Sequence, residues 1–236
     1  DYQYDACNRR IAKDVNTNGA GPIEIQERYV HDGDELALVY DGDGTLIRRY
    51  LHGPVIDMVL AEDHYDGSTG NYLETYFTLG DHQNSVRDLV VLNGSTAEIA
   101  QHVVLDSFGN IVELQDANGD PMTGNPISRW VYTGREYDPE TGNYYYRARY
   151  YSPSEGRFLS QDPIGFDGGD GNLYRYVLNF VINGIDPSGL SIFDPFSGGR
   201  MTTGGKVVDK NGKTVVPEPP KPATGPTEQE RTRNGG

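Results

Sequence analysis

Apolar and aromatic residues in this chain come in short runs of four to six, each closed by a cluster of Asp, Gly or Asn. Tyr2-Gln3-Tyr4 runs into Asp5-Ala6-Cys7-Asn8 and then Arg9-Arg10-Ile11, and Arg28-Tyr29-Val30-His31 is closed by Asp32-Gly33. The same cadence returns at Leu38 to Gly44, Tyr76 to Asp81 and Val103 to Asn110. Runs of that length bounded by turn formers predict β-hairpins. A strand-turn unit that cannot bury a face alone must stack on its neighbours, so the pattern predicts a continuous, twisted antiparallel sheet. Asn8 stands where a glycine would serve the turn, and Asn tolerates a positive φ nearly as well. Helix is expected only over Asn172–Phe180, where Asn172 can cap and Leu173, Tyr176, Val177 and Phe180 fall at helical spacing. Read as one strand, residues 144–151 would place Tyr145, Arg147, Arg149 and Tyr151 on one face.

Composition agrees with a mainly β fold packed by aromatic rings: of 236 residues, 36% are hydrophobic, while Gly reaches 30 and Tyr 17. One sizeable core is within reach at this length. The single Cys7 excludes an internal disulfide. No apolar run approaches the roughly 20 residues of a membrane-spanning helix, and the N-terminus has no signal-peptide pattern. The chain opens at Asp1 inside a repeat-like pattern, and is expected to be the C-terminal piece of a longer protein. Residues 1–190 hold 13 Lys+Arg against 30 Asp+Glu, whereas residues 191–236 hold 7 against 5. An acidic body of that kind repels nucleic acid and anionic membranes, so neither is an expected partner. After Leu190, Gly, Pro, Thr and Lys dominate. Val207-Val208 and Val215-Val216 flank Asn211-Gly212 as a possible small hairpin, and the rest of the tail is expected to be disordered. The tail has no His or Cys, so an independent effector enzyme is not expected there.

The segment Gly134 to Leu190 gathers eight tyrosines, the turns Asp162-Pro163 and Asp186-Pro187, and a run of glycines. With its Tyr144-Tyr145-Tyr146-Arg147-Ala148-Arg149-Tyr150-Tyr151, Gly156-Arg157-Phe158-Leu159-Ser160-Gln161-Asp162-Pro163-Ile164-Gly165 and Asp186-Pro187-Ser188-Gly189-Leu190 motifs, it resembles the rearrangement-hotspot (Rhs) repeat-associated core domain. The resemblance divides the chain into a Tyr-Asp-type repeat region (1–133), the core domain (134–190) and a variable tail (191–236). It implies the C-terminal end of a hollow β-shell, in a secreted or cell-surface protein of the polymorphic-toxin kind. The implied partners are an upstream repeat shell and a C-terminal effector segment of the same polypeptide, with cell-surface or secretion-system components. It further implies aspartyl-type self-cleavage between Leu190 and Ser191 by Asp162, Asp186 and Arg149, with no cofactor.

That chemistry is physically reasonable. Amide hydrolysis needs a base for water and an acid for the leaving nitrogen, and two adjacent carboxylates sharing a proton supply both. A guanidinium beside them can fix the charge state or stabilise an oxyanion. A tight Asp-Pro-Ser-Gly turn would present the Leu190 carbonyl at fixed geometry. The plainer reading is that both aspartates merely open Asx-turns and Arg149 is an ordinary ion-pair partner. The protein would then be a non-catalytic structural or adhesive repeat protein. One departure bears on cleavage: Asn179-Phe180-Val181-Ile182-Asn183 lacks the proline common in this part of the family. Three further features are set aside. Asp14 to Gly19, Asp41 to Gly44 and Asp116 to Asp120 lack the spacing of a calcium loop, the five histidines show no metal spacing, and Ser188 is not in a nucleophile elbow.

Overall fold

The computed structural model describes residues 1–16, 19, 22–168 and 170–190, and beyond them the backbone of four strands of two or three residues. Eleven strands between Tyr2 and Met122 form one antiparallel sheet and follow chain order in it. These are β1 (Tyr2–Tyr4), β2 (Arg10–Val15), β3 (Ile25–Asp32), β4 (Glu35–Asp41), β5 (Leu46–His52), β6 (Val59–Tyr65), β7 (Tyr72–Gly80), β8 (Val86–Asn93), β9 (Thr96–Leu105), β10 (Ile111–Gln115) and β11 (Pro121–Met122). The continuous sheet predicted from the hairpin cadence is therefore present.

One turn, used five times, builds much of it. Asp5, Asp41, Asp81, Asp106 and Asp116 each accept the N–H groups two and four residues ahead on Oδ1. In each turn the Asp carbonyl also accepts the N–H three residues on. That fourth residue has a positive φ in every case: Asn8 (62°), Gly44 (85°), Asn84 (63°), Gly109 (86°) and Gly119 (82°). Only Gly and Asn adopt this conformation cheaply, which is why no other residue type stands there. The Asp-Gly runs at 41–44 and 116–120 are thus turns whose carboxylates are occupied by backbone. Among the described residues no group of three or more His, Cys, Asp or Glu is placed to hold a metal ion.

A second antiparallel sheet comprises β12 (Glu136–Asp138), β13 (Asn143–Tyr146), β14 (Arg149–Ser152) and β15 (Arg157–Phe158). The single strand expected over 144–151 is replaced by a hairpin. The chain reverses at Arg147-Ala148, Arg147 takes a left-handed φ of 55°, and Tyr144 and Tyr145 face Tyr151 and Tyr150. Cross-strand aromatic pairing is what one long strand would forgo. Arg149 and Tyr151 still share a face, but with Tyr144 and Tyr146 in place of Tyr145 and Arg147. On that face Tyr144, Tyr146, Tyr151 and Phe158 are fully buried with Tyr176 and Tyr132, against Val103 and Leu114 of the large sheet. A second cluster joins Trp130 to Tyr29, Val39, Tyr50 and Leu89. The opposite face of the large sheet carries a registered row, Leu51–Ala61–Phe77–Val90–Ile99, in which Leu51, Phe77 and Ile99 are exposed.

The helix expected over 172–180 does not form. Only a 3-10 turn, Val177–Asn179, is present. The Leu173 carbonyl accepts from the Asp162 N–H and from Arg149, and the Tyr174 carbonyl accepts from the Phe158 N–H. The acceptors a helix would use are taken by the neighbouring chain, and Asn172 caps only an Asx-turn onto Tyr174. In the tail, β16 (Phe193–Asp194), β17 (Gly199–Met201), β18 (Val207–Val208) and β19 (Thr214–Val215) pair antiparallel. Val207 faces Val215, matching the hairpin expected around Asn211-Gly212. The expectation of disorder falls on residues outside those described.

Ionic groups join the two sheets. Arg10 of β2 lies 2.6 Å from Asp138 and 2.8 Å from Glu136, while Lys13 reaches Asp138 at 2.9 Å and Glu140 at 2.7 Å. The Arg10 guanidinium also stacks over Tyr145, 4.6 Å from the ring centre. Burial would push the Glu136 carboxyl up, but Arg10 and Arg129 outweigh it and hold it at about 2. A depressed carboxyl contributes stability that is present above its unfolded value of 4.5 and is lost as pH falls through about 2. Urea unfolding across this window is expected to show a loss of about 3 kcal/mol from Glu136. Arg10→Met leaves Asp138 with Lys13 alone and Glu136 with Arg129 alone, and is expected to cost about 2–3 kcal/mol at neutral pH.

Candidate functional site

Three parts of the chain meet at the Arg149 guanidinium. Its side chain leaves β14 on the buried face and lies over Phe158, 3.6 Å from the ring centre. One nitrogen, Nη2, is 3.1 Å from Asp162 and 3.4 Å from Asp186. Nη1 donates to the Leu173 carbonyl at 3.1 Å, and Nε to the Gly189 carbonyl at 2.5 Å. Burial lowers the Arg149 pKa from its ordinary value, while Asp186 and Asp162 act to raise it. Charge-assisted bonds of this kind are among the stronger ones available to a protein.

Local sequence explains how each carboxylate arrives. Asp162 opens an Asx-turn, accepting the Ile164 N–H on Oδ1, which leaves Oδ2 for Arg149. Asp186 is buried, and its Oδ1 accepts both the Leu190 N–H at 3.1 Å and the Ser188 hydroxyl at 3.2 Å. The segment Asp186–Leu190 is thereby folded back on the carboxylate that precedes it by four residues. The β13–β14 turn grips the same segment from outside: Ala148 N–H donates to the Ser188 carbonyl at 3.3 Å, and Arg147 donates to the Pro187 carbonyl. Gly189 has a φ of 68°, and a Cβ there would run into the Tyr146 carbonyl. A Cβ on Gly168 would come 3.0 Å from Asp162 Oδ2 and 3.4 Å from the Leu190 carbonyl oxygen, so the bare glycine lets the Asp162 carboxylate and the end of the clamped segment pack close to it. Two carboxylates, a shared cation and one constrained peptide segment form an arrangement able to run acid–base chemistry on that segment's backbone.

No protein-family model matches the chain. It is 33% identical over 193 residues to the tRNA3(Ser)-specific nuclease WapA of Bacillus spizizenii, a match covering 80% of this chain and 7% of that protein. It is 30% identical over 207 residues to the toxin protein Tse5 of Pseudomonas aeruginosa, covering 81% and 15%. The probable deoxyribonuclease RhsA of Dickeya dadantii is 30% identical over 200 residues, covering 80% and 12%. The crystal structure of TcdB2-TccC3-TEV superposes with a TM-score of 0.58 at 22% identity, covering 80% of this chain and 9% of that one. The chain is of the Rhs type. Its fold is that of an Rhs β-shell, and it spans only a small part of the length of each of these relatives.

In this Rhs-type chain the structure brings Arg149, Asp162, Asp186 and Leu190 together. Ser191 lies outside the described residues. Both aspartates do open turns, as the plainer reading also expected, so turn-opening and proximity to Arg149 coexist here. Three contributors were not legible beforehand. Phe158 supplies the ring beneath the guanidinium, Gly168 admits the close approach of Asp162, and Arg147 was read only as a strand neighbour of Arg149. Its left-handed φ has no signature in a Tyr-Arg-Ala-Arg sequence, and the conformation costs about 1–2 kcal/mol. Gly189→Ala is expected to destabilise the protein by at least about 1 kcal/mol in urea unfolding. The Leu190 amide should also lose its protection from hydrogen exchange, because the Gly189 turn carries the bond to Asp186.

Proposed function

We propose that this chain is the C-terminal wall of an Rhs-type encapsulating shell in a toxin, and that it cuts itself between Leu190 and Ser191. The observation that carries the cleavage reading is the convergence of Asp162, Asp186 and the Leu190 peptide on Arg149. Support for the toxin setting comes from the relatives, one named a toxin and others nucleases. A related crystal structure is described as lacking a hypervariable C-terminal region, which parallels the change of composition after Leu190. The uncovered apolar row Leu51–Phe77–Ile99 suits a wall with one face turned to enclosed cargo. In this reading residues 1–133 are the repeat wall, 134–190 the closing domain and 191–236 the released segment. The protein acts in a secreted or cell-surface setting, with an upstream shell and an effector segment of the same polypeptide as partners. Among the described residues no helix is long and apolar enough to cross a membrane.

The proposed reaction is hydrolysis in cis. A carboxylate of the pair, with Asp162 the one beside the Leu190 carbonyl oxygen, removes a proton from water as the water oxygen bonds to the Leu190 carbonyl carbon. The protonated carboxyl then delivers that proton to the Ser191 nitrogen as the C–N bond breaks, leaving a Leu190 carboxylic acid and a Ser191 amine, which exchange a proton to become carboxylate and ammonium. Asp186 holds the Leu190 N–H, and Arg149 keeps the two acids and the Gly189 carbonyl in register. Holding the substrate in place is worth effective molarities of about 10⁵–10⁸ M in favourable intramolecular systems.

Gel and mass analysis of freshly made 236-residue chain tests this. Asp162→Asn and Asp186→Asn, which keep shape but remove the carboxylate, are expected to slow scission at least 10³-fold. Gly168→Ala puts a methyl 3.0 Å from Asp162 Oδ2, closer than ordinary contact, and is expected to displace that carboxylate and slow scission at least tenfold. Scission that proceeds unchanged in either Asn variant removes the aspartyl reading. A parent chain that never cuts leaves the non-catalytic shell or adhesive protein.

A further inference from the structure

Arg147 is bound at both ends of a bridge that the proposed chemistry does not use. Its guanidinium donates to the Pro187 carbonyl, three residues before Leu190. On its other side it meets carboxylates of the large sheet, Asp57 Oδ1 at 2.9 Å and Glu35 at 3.4 Å. Asp57 lies in the connection between β5 and β6, is buried, and itself has a left-handed φ of 60°. It also binds Arg135, the residue just before β12, at 2.5 Å, and Arg135 in turn donates to the Tyr145 carbonyl. Arg147 stands at the tip of the β13–β14 turn in a conformation that an unbranched arginine adopts only when its surroundings impose it. Remote carboxylates on the wall, a strained arginine at the turn and the carbonyl of the clamped segment thus form one continuous line of charge-assisted contacts.

We propose that Arg147 is a positioning residue that makes scission conditional on docking of the large sheet. With Asp57 and Glu35 in place, the guanidinium is oriented to hold Pro187, and Ser188–Leu190 fall onto Ala148, Arg149 and Asp186. Without the wall, Arg147 has no counter-charge to orient it, and the segment loses its outer grip while Asp162, Asp186 and Arg149 keep their own. Cutting before the wall has closed would release the tail early; this contact removes that route. The inference rests on the cleavage reading for its consequence but not for its geometry.

The test uses the full chain in two forms. In the first, Asp162→Asn holds the chain uncut, and hydrogen exchange is read at the Ala148, Gly189 and Leu190 amides. Arg147→Met and Glu35→Gln are each expected to speed exchange there, by tenfold or more for Arg147→Met, and Arg147→Lys by less, while strands β3–β9 stay protected. In the second, with Asp162 restored, Arg147→Met is expected to slow scission tenfold or more without altering its pH profile, and Arg147→Lys to recover part of the rate. Unchanged exchange at all three amides overturns the clamp, and so does a scission rate indifferent to Arg147. A parent chain that does not cut defeats the cleavage reading and with it the gating role, whereas the exchange arm still decides whether Arg147 holds the segment. Should Arg147→Met fail to fold, Arg147→Lys and Glu35→Gln give the same comparison.

Discussion

The Arg149 guanidinium is the contact on which the closing domain depends. All three of its nitrogens are engaged, by Asp162, Asp186 and the carbonyls of Leu173 and Gly189, and it lies over the Phe158 ring. Two carboxylates gathered beside a nearly buried site would repel each other without it. Their meeting draws three separated stretches of chain, 157–163, 173–174 and 186–190, onto one β-strand. A folding constraint and a candidate reaction centre therefore share the same atoms. This is how a site that acts once, on its own chain, can be assembled without a preformed substrate pocket.

Around that centre the two sheets are held by contrasting means. Tyrosine rings fill the interior side, with Tyr151 and Tyr176 4.4 Å apart between ring centres. The other side of the second sheet is ionic, with Arg10 and Lys13 meeting Glu136, Asp138 and Glu140. Aromatic burial supplies driving force without direction, whereas paired buried charges penalise any register that leaves one unpaired. The chain's large acidic excess is thus spent in part on orientation: carboxylates open the turns of the large sheet and then key the second sheet onto it.

Local regularity made the large sheet readable. Asp at the head of a turn and Gly or Asn at its fourth position recur at Asp5, Asp41, Asp81, Asp106 and Asp116, and each obeys the same backbone rule. Readings failed where distant chain decides the outcome. Asn172–Phe180 has helical spacing, yet the Leu173 and Tyr174 carbonyls are claimed by Asp162, Arg149 and Phe158. Residues 144–151 alternate well enough for one strand, yet Arg147 turns because the 187–189 backbone and Asp57 hold it there. The three site residues were legible only through the motifs that carry the resemblance, since Asp before Pro opens turns in any protein. Gly168, Phe158 and the Arg147–Asp57 contact carry no local pattern, being defined by what approaches them from elsewhere.

The central claim is that water is added across the Leu190–Ser191 bond by residues of the same chain. Synthesis of the protein in water enriched in heavy oxygen, followed by mass analysis of the new C-terminus, tests it most directly. The account predicts a body ending at Leu190 with one heavy oxygen in its terminal carboxylate, and a partner fragment beginning at Ser191. A chain that stays whole, ends elsewhere, or ends at Leu190 without the label would contradict it.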